Sequence, residues 1–304
     1  MNAAAPAARL EVVGANHDHT LGMSQTRRGI EIRYRTADLM PVFEKMIAER
    51  GFEACEFSLA NYVMLKDRGA DWLSAIPVFP ARAFRHANIY VRADSPLQGP
   101  SQLRGRRIGV PEYSMTLAVW MRGILAEQFG VHWSEMRWTT TGKQRFSTLE
   151  GVEVDVTNAD LEEALLAGHL DVLLAPRTRD EARPAAQRQL RRLIADPQAA
   201  QDAYLRDTGI HPINHVVVLR EDTLARLPDA PQALYEAFCA CKAASYGRRN
   251  VKGDPLPYGM TAANRTTVAK LCSFLHDQKL IRRVPELEGL FLPIDENKTI
   301  HEPA

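Results

Sequence analysis

Short apolar runs alternate with stretches whose apolar positions recur every three or four residues, almost from the start of the chain. Residues 10–14 read as a strand and 39–50 as a helix closed by Gly51. A strand at 52–57 is followed by Ser58 as an N-cap and a helix to residue 68. Further strands are predicted at 72–79, 86–92, 108–110, 133–140, 152–156 and 170–175. Helices are predicted at 111–129 and at 161–167, the latter ended by Gly168. The Ala-rich, basic stretch 177–192 reads as a surface helix whose six arginines form a solvated face. After the strand at 216–219 the chain turns helical, near 231–246 and 262–279.

Strands alternating with helices predict an α/β fold with largely parallel sheets. The turn-rich stretch Asp94-Ser-Pro-Leu-Gln-Gly-Pro-Ser marks a domain crossing, and a strand late in the chain followed by helices marks the return. Two lobes are therefore expected, one built from residues 1–93 and 216–304 and the other from 94–215, with a ligand cleft between them. No period of 20–50 residues repeats, which argues against solenoids and propellers.

Composition narrows the functional classes. With 38 Lys and Arg against 37 Asp and Glu, the net charge of +1 offers no broad field for nucleic acid or an anionic membrane. No apolar run approaches the roughly 20 residues of a membrane span. The N-terminal residues lack a basic region followed by an apolar stretch, so the expectation is cytoplasmic residence. Cys55, Cys239, Cys241 and Cys272 contain no CxxC pair and read as reduced core residues. There is no GxGxxG, phosphate-loop or GxSxG motif. A small molecule is the expected partner, and the sequence admits a homo-oligomer.

Several segments together resemble the 4,5-dihydroxyphthalate decarboxylase family, a branch of the type II periplasmic-binding-protein fold. They include Asp18-His-Thr, Ala75-Ile-Pro-Val-Phe-Pro-Ala-Arg-Ala-Phe-Arg-His, Asn88-Ile-Tyr-Val-Arg-Ala-Asp and Leu103-Arg-Gly-Arg-Arg-Ile-Gly-Val-Pro-Glu-Tyr. Thr208-Gly-Ile-His-Pro-Ile-Asn-His-Val-Val-Val and Tyr258-Gly-Met-Thr-Ala-Ala-Asn-Arg complete the set. The resemblance implies a two-lobed fold and cofactor-free decarboxylation of a dihydroxylated aromatic dicarboxylate. A solute-binding protein for a small anion is the competing expectation, because this fold commonly serves that purpose.

Removing carbon dioxide from an arene requires a proton for the carbon that loses it and a ring made electron-rich by an ionising hydroxyl. An imidazole or carboxylate near that phenol is the natural base. His17 and His19 follow the first strand, two apart, on one side of an extended segment at a strand end where ligands bind in open α/β sheets. Arg82 and His86 would share a face if their turn were helical, and an arginine fork suits a carboxylate. Glu112 and Tyr113 precede a helix N-terminus, where Ser114, Met115 and Thr116 offer donors to an anion. His211 and His215, four apart around Pro212, are expected to share a face.

The expected catalytic set is thus His19, His211, His86 and Glu112, with His19 and His211 as the acid–base pair. The expected substrate contacts are Arg82, His17, Tyr113, Ser114, Met115, Thr116, His215 and Arg177. No metal or other cofactor is expected, although His17 or His19 with His211 or His215 would suit a divalent ion.

Overall fold

A computed structural model describes residues 8–142 and 144–296. The chain divides into two compact units, one of residues 1–82, 213–268 and 285–304, the other of residues 83–212 and 269–284. The first seven residues, read above for an export signal, lie outside the described part.

The first unit begins with β1 (Ala8–Gly14), β2 (Gln25–Arg27), β3 (Ile30–Thr36) and α1 (Leu39–Glu49), followed by β4 (Ala54–Ser58), α2 (Leu59–Asp67) and β5 (Leu73–Ile76). The second unit opens with β6 (Ile89–Arg92), β7 (Arg107–Val110), α3 (Thr116–Phe129), β8 (Arg137–Thr141) and β9 (Val154–Thr157). It continues through α4 (Leu161–Leu166), β10 (Val172–Leu174), β11 (Leu190–Arg192) and α5 (Pro197–Thr208). The chain then returns to the first unit with β12 (His215–Arg220), α6 (Glu221–Arg226) and α7 (Ala230–Arg249), and α8 (Ala262–Asp277) carries residues of both units.

Each unit is built on a six-stranded sheet, ordered β2-β3-β1-β4-β12-β5 in the first and β11-β6-β10-β7-β8-β9 in the second. The sheets are mixed rather than largely parallel. In the first, β1 runs parallel to β3 and β4, while β12 inserts antiparallel between β4 and β5. In the second, β7 is parallel to β8 and β10, while β6 pairs antiparallel with β10 and β11. The pairing of β6 explains why the units divide at Arg82 and Ala83 rather than after residue 93: the strand predicted at 86–92 belongs to the second sheet. Residues 269–284 also fall in the second unit, a crossing absent from the sequence-based division.

Local chemistry accounts for many element ends. The Ser58 hydroxyl accepts from the Asn61 amide and starts α2, and Asp160 caps α4 in the same way. Arg50, not Gly51, takes the left-handed position that closes α1. Stretch 177–192 is not a helix. Pro184 interrupts it, and the buried Asp180 carboxylate accepts from the amides of Gln189 and Leu190, which turns the chain into edge strand β11. In the first unit Leu10, Val12, Ile32, Ile76, Val217 and Leu219 pack against Ala233, Leu234, Ala237 and Phe238 of α7. Burying each of the larger side chains contributes roughly 1.5–3 kcal/mol. Among the described residues no helix is long and apolar enough to cross a membrane.

Candidate acid–base site

Strand β4 reads Ala54-Cys-Glu-Phe-Ser and is buried throughout, so it carries a carboxylate, Glu56, into the middle of the first sheet. An unpaired charge there would be costly. It is met from both neighbouring strands. Beyond the carboxyl end of β1, the Ala15 amide donates to Glu56 Oε2 at 2.9 Å, and His17 Nε2 lies 3.0 and 3.1 Å from the two carboxylate oxygens. From the start of β12, which runs antiparallel to β4, His215 Nδ1 contacts Oε1 at 2.7 Å. The Glu56 side chain is 1% exposed, against 24% for His17 and 20% for His215. The site therefore sits where β1 and β4 end and β12 begins.

Close packing fixes this edge. The Tyr34 hydroxyl donates to the Ala15 carbonyl at 2.8 Å, and a Cβ on Gly14 would collide with that hydroxyl and crowd Glu56 Oε2. Phe43 sets its edge on the His215 ring at 5.4 Å. His17 and His19 stack at 4.9 Å with an interplanar angle of 12°. The turn between them is a short 3-10 helix, Asp18–Thr20, not the extended segment expected, yet the two rings still come together.

The cluster drives its groups apart electrically. Burial alone would raise the Glu56 carboxyl, but hydrogen bonds from His17 and His215 outweigh it and hold the group well below the usual carboxylate range. Burial would likewise depress His17, yet the hydrogen bond and charge of Glu56, helped by Asp18, raise it above the ordinary imidazole value of 6.5. His19 moves the other way, to about 4, through burial and then the charge of His17. The Pro80 carbonyl favours the protonated form of His19 without reversing that shift, and the buried Nε2 has no hydrogen-bond partner.

A second polar group in the same unit centres on the loop before α8. Arg82 Nη2 donates to the Pro257 carbonyl at 3.1 Å and to Asn264 Oδ1, while Asn264 Nδ2 donates to the carbonyls of Pro257 and Gly259. Tyr258 is held between those anchors. Lys242 Nζ lies 4.0 Å from the centre of its ring and binds Asp254 at 2.6 Å and the Leu256 carbonyl at 2.8 Å. Burial lowers Arg82 to about 10, so it stays charged at neutral pH.

The remaining candidates belong to the second unit. Arg145 grips Glu112 through two nitrogens, and the Ser114 hydroxyl donates to the other carboxylate oxygen at 2.5 Å. The Tyr113 amide donates to Gln144, and its carbonyl accepts from Arg122, whose fully buried guanidinium lies 3.7 Å from the centre of the Tyr113 ring. Met115 is the N-cap residue of α3, Thr116 is buried in its first turn, and Arg177 is exposed in the loop after β10. His86 is fully buried with Nε2 2.9 Å from Gln128, and burial lowers its basicity. His211 stacks on Phe84 at 4.9 Å.

One expected pairing is not formed: Arg82 bridges to Ile213 in extended conformation, so the helical turn that would have joined it to His86 is absent and the two residues fall in different units. His211 and His215 are likewise assigned to different units. The site also contains residues that the sequence reading did not single out: Glu56, Tyr34, Lys242, Tyr258 and Asn264. The available signal for Glu56 was a carboxylate inside an otherwise buried strand. Tyr258 and Asn264 lie within the Tyr258-Gly-Met-Thr-Ala-Ala-Asn-Arg segment quoted above. Among the described residues no group of three or more His, Cys, Asp or Glu side chains is arranged to hold a metal ion.

No family model matches the chain. It is 32% identical over 233 residues to a 4,5-dihydroxyphthalate decarboxylase of Comamonas testosteroni, covering 72% of this chain and 69% of that protein. It is 32% identical over 188 residues to a 4,5-dihydroxyphthalate decarboxylase of Pseudomonas putida, covering 59% and 72% respectively. Among solved structures, the periplasmic aliphatic sulphonate-binding protein SsuA of Escherichia coli matches with a TM-score of 0.59 at 13% identity, over 93% of this chain and 97% of that one. The alkanesulfonate-binding protein SsuA of Xanthomonas axonopodis pv. citri matches at 0.57 and 13% identity, over 95% and 99%. These two likenesses concern the fold, which is that of the type II periplasmic-binding-protein class.

Proposed function

Because this chain belongs to the 4,5-dihydroxyphthalate decarboxylase family, and is thereby a carboxy-lyase, we propose that it converts 4,5-dihydroxyphthalate to 3,4-dihydroxybenzoate using the histidines around Glu56. The observation that carries this reading is the stacked pair His17 and His19, whose proton affinities are pushed in opposite directions, His17 upward by the buried Glu56 carboxylate and His19 downward by burial and the charge of His17. Neighbouring titratable groups separated in this way take opposite acid and base roles.

In this scheme neutral His19 takes the proton of the hydroxyl para to the departing carboxylate, through the lone pair on Nε2. The imidazolium of His17 gives a proton to the ring carbon bearing that carboxylate. The carbon–carbon bond then breaks, its electron pair restores the aromatic ring, and carbon dioxide leaves. The proton on His19 returns to the phenolate, and His17 regains one from solvent, so the net change is one proton consumed for one carbon dioxide formed. Glu56 holds the imidazolium in place, His215 supports Glu56 from β12, and Arg82 supplies positive charge for a carboxylate. No cofactor or metal enters these steps.

A second reading, capture of a small anion without chemistry, draws on the likeness to sulphonate-binding proteins. Calorimetric titration with 4,5-dihydroxyphthalate, followed by chromatography of the mixture, separates the two. Carbon dioxide and 3,4-dihydroxybenzoate in equal amounts support the decarboxylase, and heat of binding with the dicarboxylate recovered intact overturns it.

A further inference from the structure

Tyr258 combines two features that do not ordinarily coexist. It is 5% exposed, and its hydroxyl is buried with no hydrogen-bond partner. A buried donor left unmet is costly, and native structures tolerate it mainly where function uses it. The residue is also held with unusual care. The carbonyls on either side of it, Pro257 and Gly259, both accept from Asn264, and Pro257 accepts from Arg82 as well. The Gly259 amide donates to the Pro77 carbonyl at 2.7 Å, and Gly259 takes φ +81, a conformation that favours glycine. The ring is clamped between Phe238, edge-on at 6.3 Å, and the ammonium of Lys242. Asp254, the carboxylate facing this corner, has its charge matched by Lys242.

We propose that Tyr258 is a specificity-determining residue whose hydroxyl, beside the Arg82 charge, binds the carboxylate that the substrate keeps. The site then selects benzene-1,2-dicarboxylates, and the reaction stops after one carbon dioxide because the monoacid product has no second carboxylate to be gripped while the first departs. This inference rests on the decarboxylase reading for its substrate. Burial, followed by the charges around it, including Glu56, keeps the phenol protonated at neutral pH, and it therefore acts as a donor. A site built to hydrogen-bond a substrate group rejects the analogue lacking that group, since the protein donor is again left unmet.

The test is Tyr258→Phe, which keeps the ring, its packing and the Lys242 contact while removing only the hydroxyl. Binding of 3,4-dihydroxybenzoate, which has one carboxylate, and of catechol, which has none, is measured by calorimetry on the wild type and the variant. Thermal melting confirms that both are folded. Loss of a hydrogen bond to a carboxylate weakens binding about 10–100-fold, so the variant binds the monoacid more weakly by that factor and catechol equally well. With 4,5-dihydroxyphthalate, kcat/KM falls by a similar factor. Equal weakening for both ligands, or for neither, overturns the assignment. Because the calorimetry needs no turnover, failure of the decarboxylase reading shows separately, as a wild type that releases no carbon dioxide.

Discussion

Replacing Glu56 by Gln removes the buried anion on which the site is built and leaves the shape of the side chain almost unchanged. The carboxylate accepts from His17, from His215 and from the Ala15 amide. An amide keeps one oxygen, which still meets His17 and one of the other two donors, but it turns its own N–H groups toward the third and removes the charge that holds all of them. Hydrogen bonds to a charged group contribute about 1.5–3 kcal/mol each, and breaking a buried pair costs about 3–5 kcal/mol. Glu56 is almost entirely enclosed, so solvent screening does not reduce the figure. The expected loss is about 3–5 kcal/mol. At roughly 2–4 °C per kcal/mol for a large domain, the melting temperature drops by roughly 6–20 °C. The electrical consequence is more specific. Burial is the largest influence on His17 and lowers its pKa; without Glu56 nothing comparable opposes it, and the imidazole falls from above 6.5 to below it. Scanning calorimetry measures the stability loss, and heteronuclear NMR of the imidazole nitrogens follows His17 through a pH titration. A variant as stable as the wild type, with His17 still titrating above its ordinary value, would refute the reasoning.

The opposite shifts of His17 and His19 predict a bell-shaped profile of kcat/KM, with an acid limb near pH 4 from His19 and an alkaline limb above 6.5 from His17; a profile flat across both limbs contradicts it. Folding stability follows the same signs. The contribution of His17 is fully present below its unfolded value of 6.5 and is lost as pH rises through its higher folded value, while protonation in the unfolded state disfavours folding around His19 as pH falls from 6.5 toward 4. Denaturant unfolding at a series of pH values checks both. In the second unit, Gly123→Ala places a methyl group inside the Phe274 ring and is expected to cost about 1–3 kcal/mol, whereas Gly247→Ala in α7 meets open space and is expected to gain about 0.5–1 kcal/mol. Urea melts of the two variants should move in opposite directions.

The elements that were readable from the sequence are those with a strong local signal. Strands β1, β4, β7 and β12 are apolar runs, and α1, α2, α7 and α8 carry caps or an apolar stripe, so they fall where the pattern places them. The hairpin β2–β3 escaped notice because its turn is Arg28-Gly29, with Arg28 at φ 50, where an Asn or Asp would have announced it. Helix α5 has both an Asp196 cap and a Gly209 stop but buries only Tyr204, so no apolar period reveals it. The family resemblance was readable because its segments spread over most of the chain, and the relatives from Comamonas and Pseudomonas bear it out. The histidines at 17, 19 and 215 were found by residue type and strand-end position. Glu56 was not, because its partners lie far away in sequence and meet it only through the order β1-β4-β12, which no local pattern encodes. Tyr258 reads as ordinary core until its hydroxyl is seen to lack a partner.

The central claim is that the imidazoles around Glu56 carry the two proton transfers of a decarboxylation. Its most direct test is the rate of carbon dioxide release from 4,5-dihydroxyphthalate by the wild type, His19→Ala and His17→Ala, with circular dichroism showing that all three are folded and chromatography identifying the product. A positioned acid or base contributes about 10²–10⁴-fold. The wild type should form 3,4-dihydroxybenzoate and carbon dioxide one for one, and each variant should be slower by that order. A wild type that forms no product, or histidine variants that turn over as fast as it does, would contradict the claim.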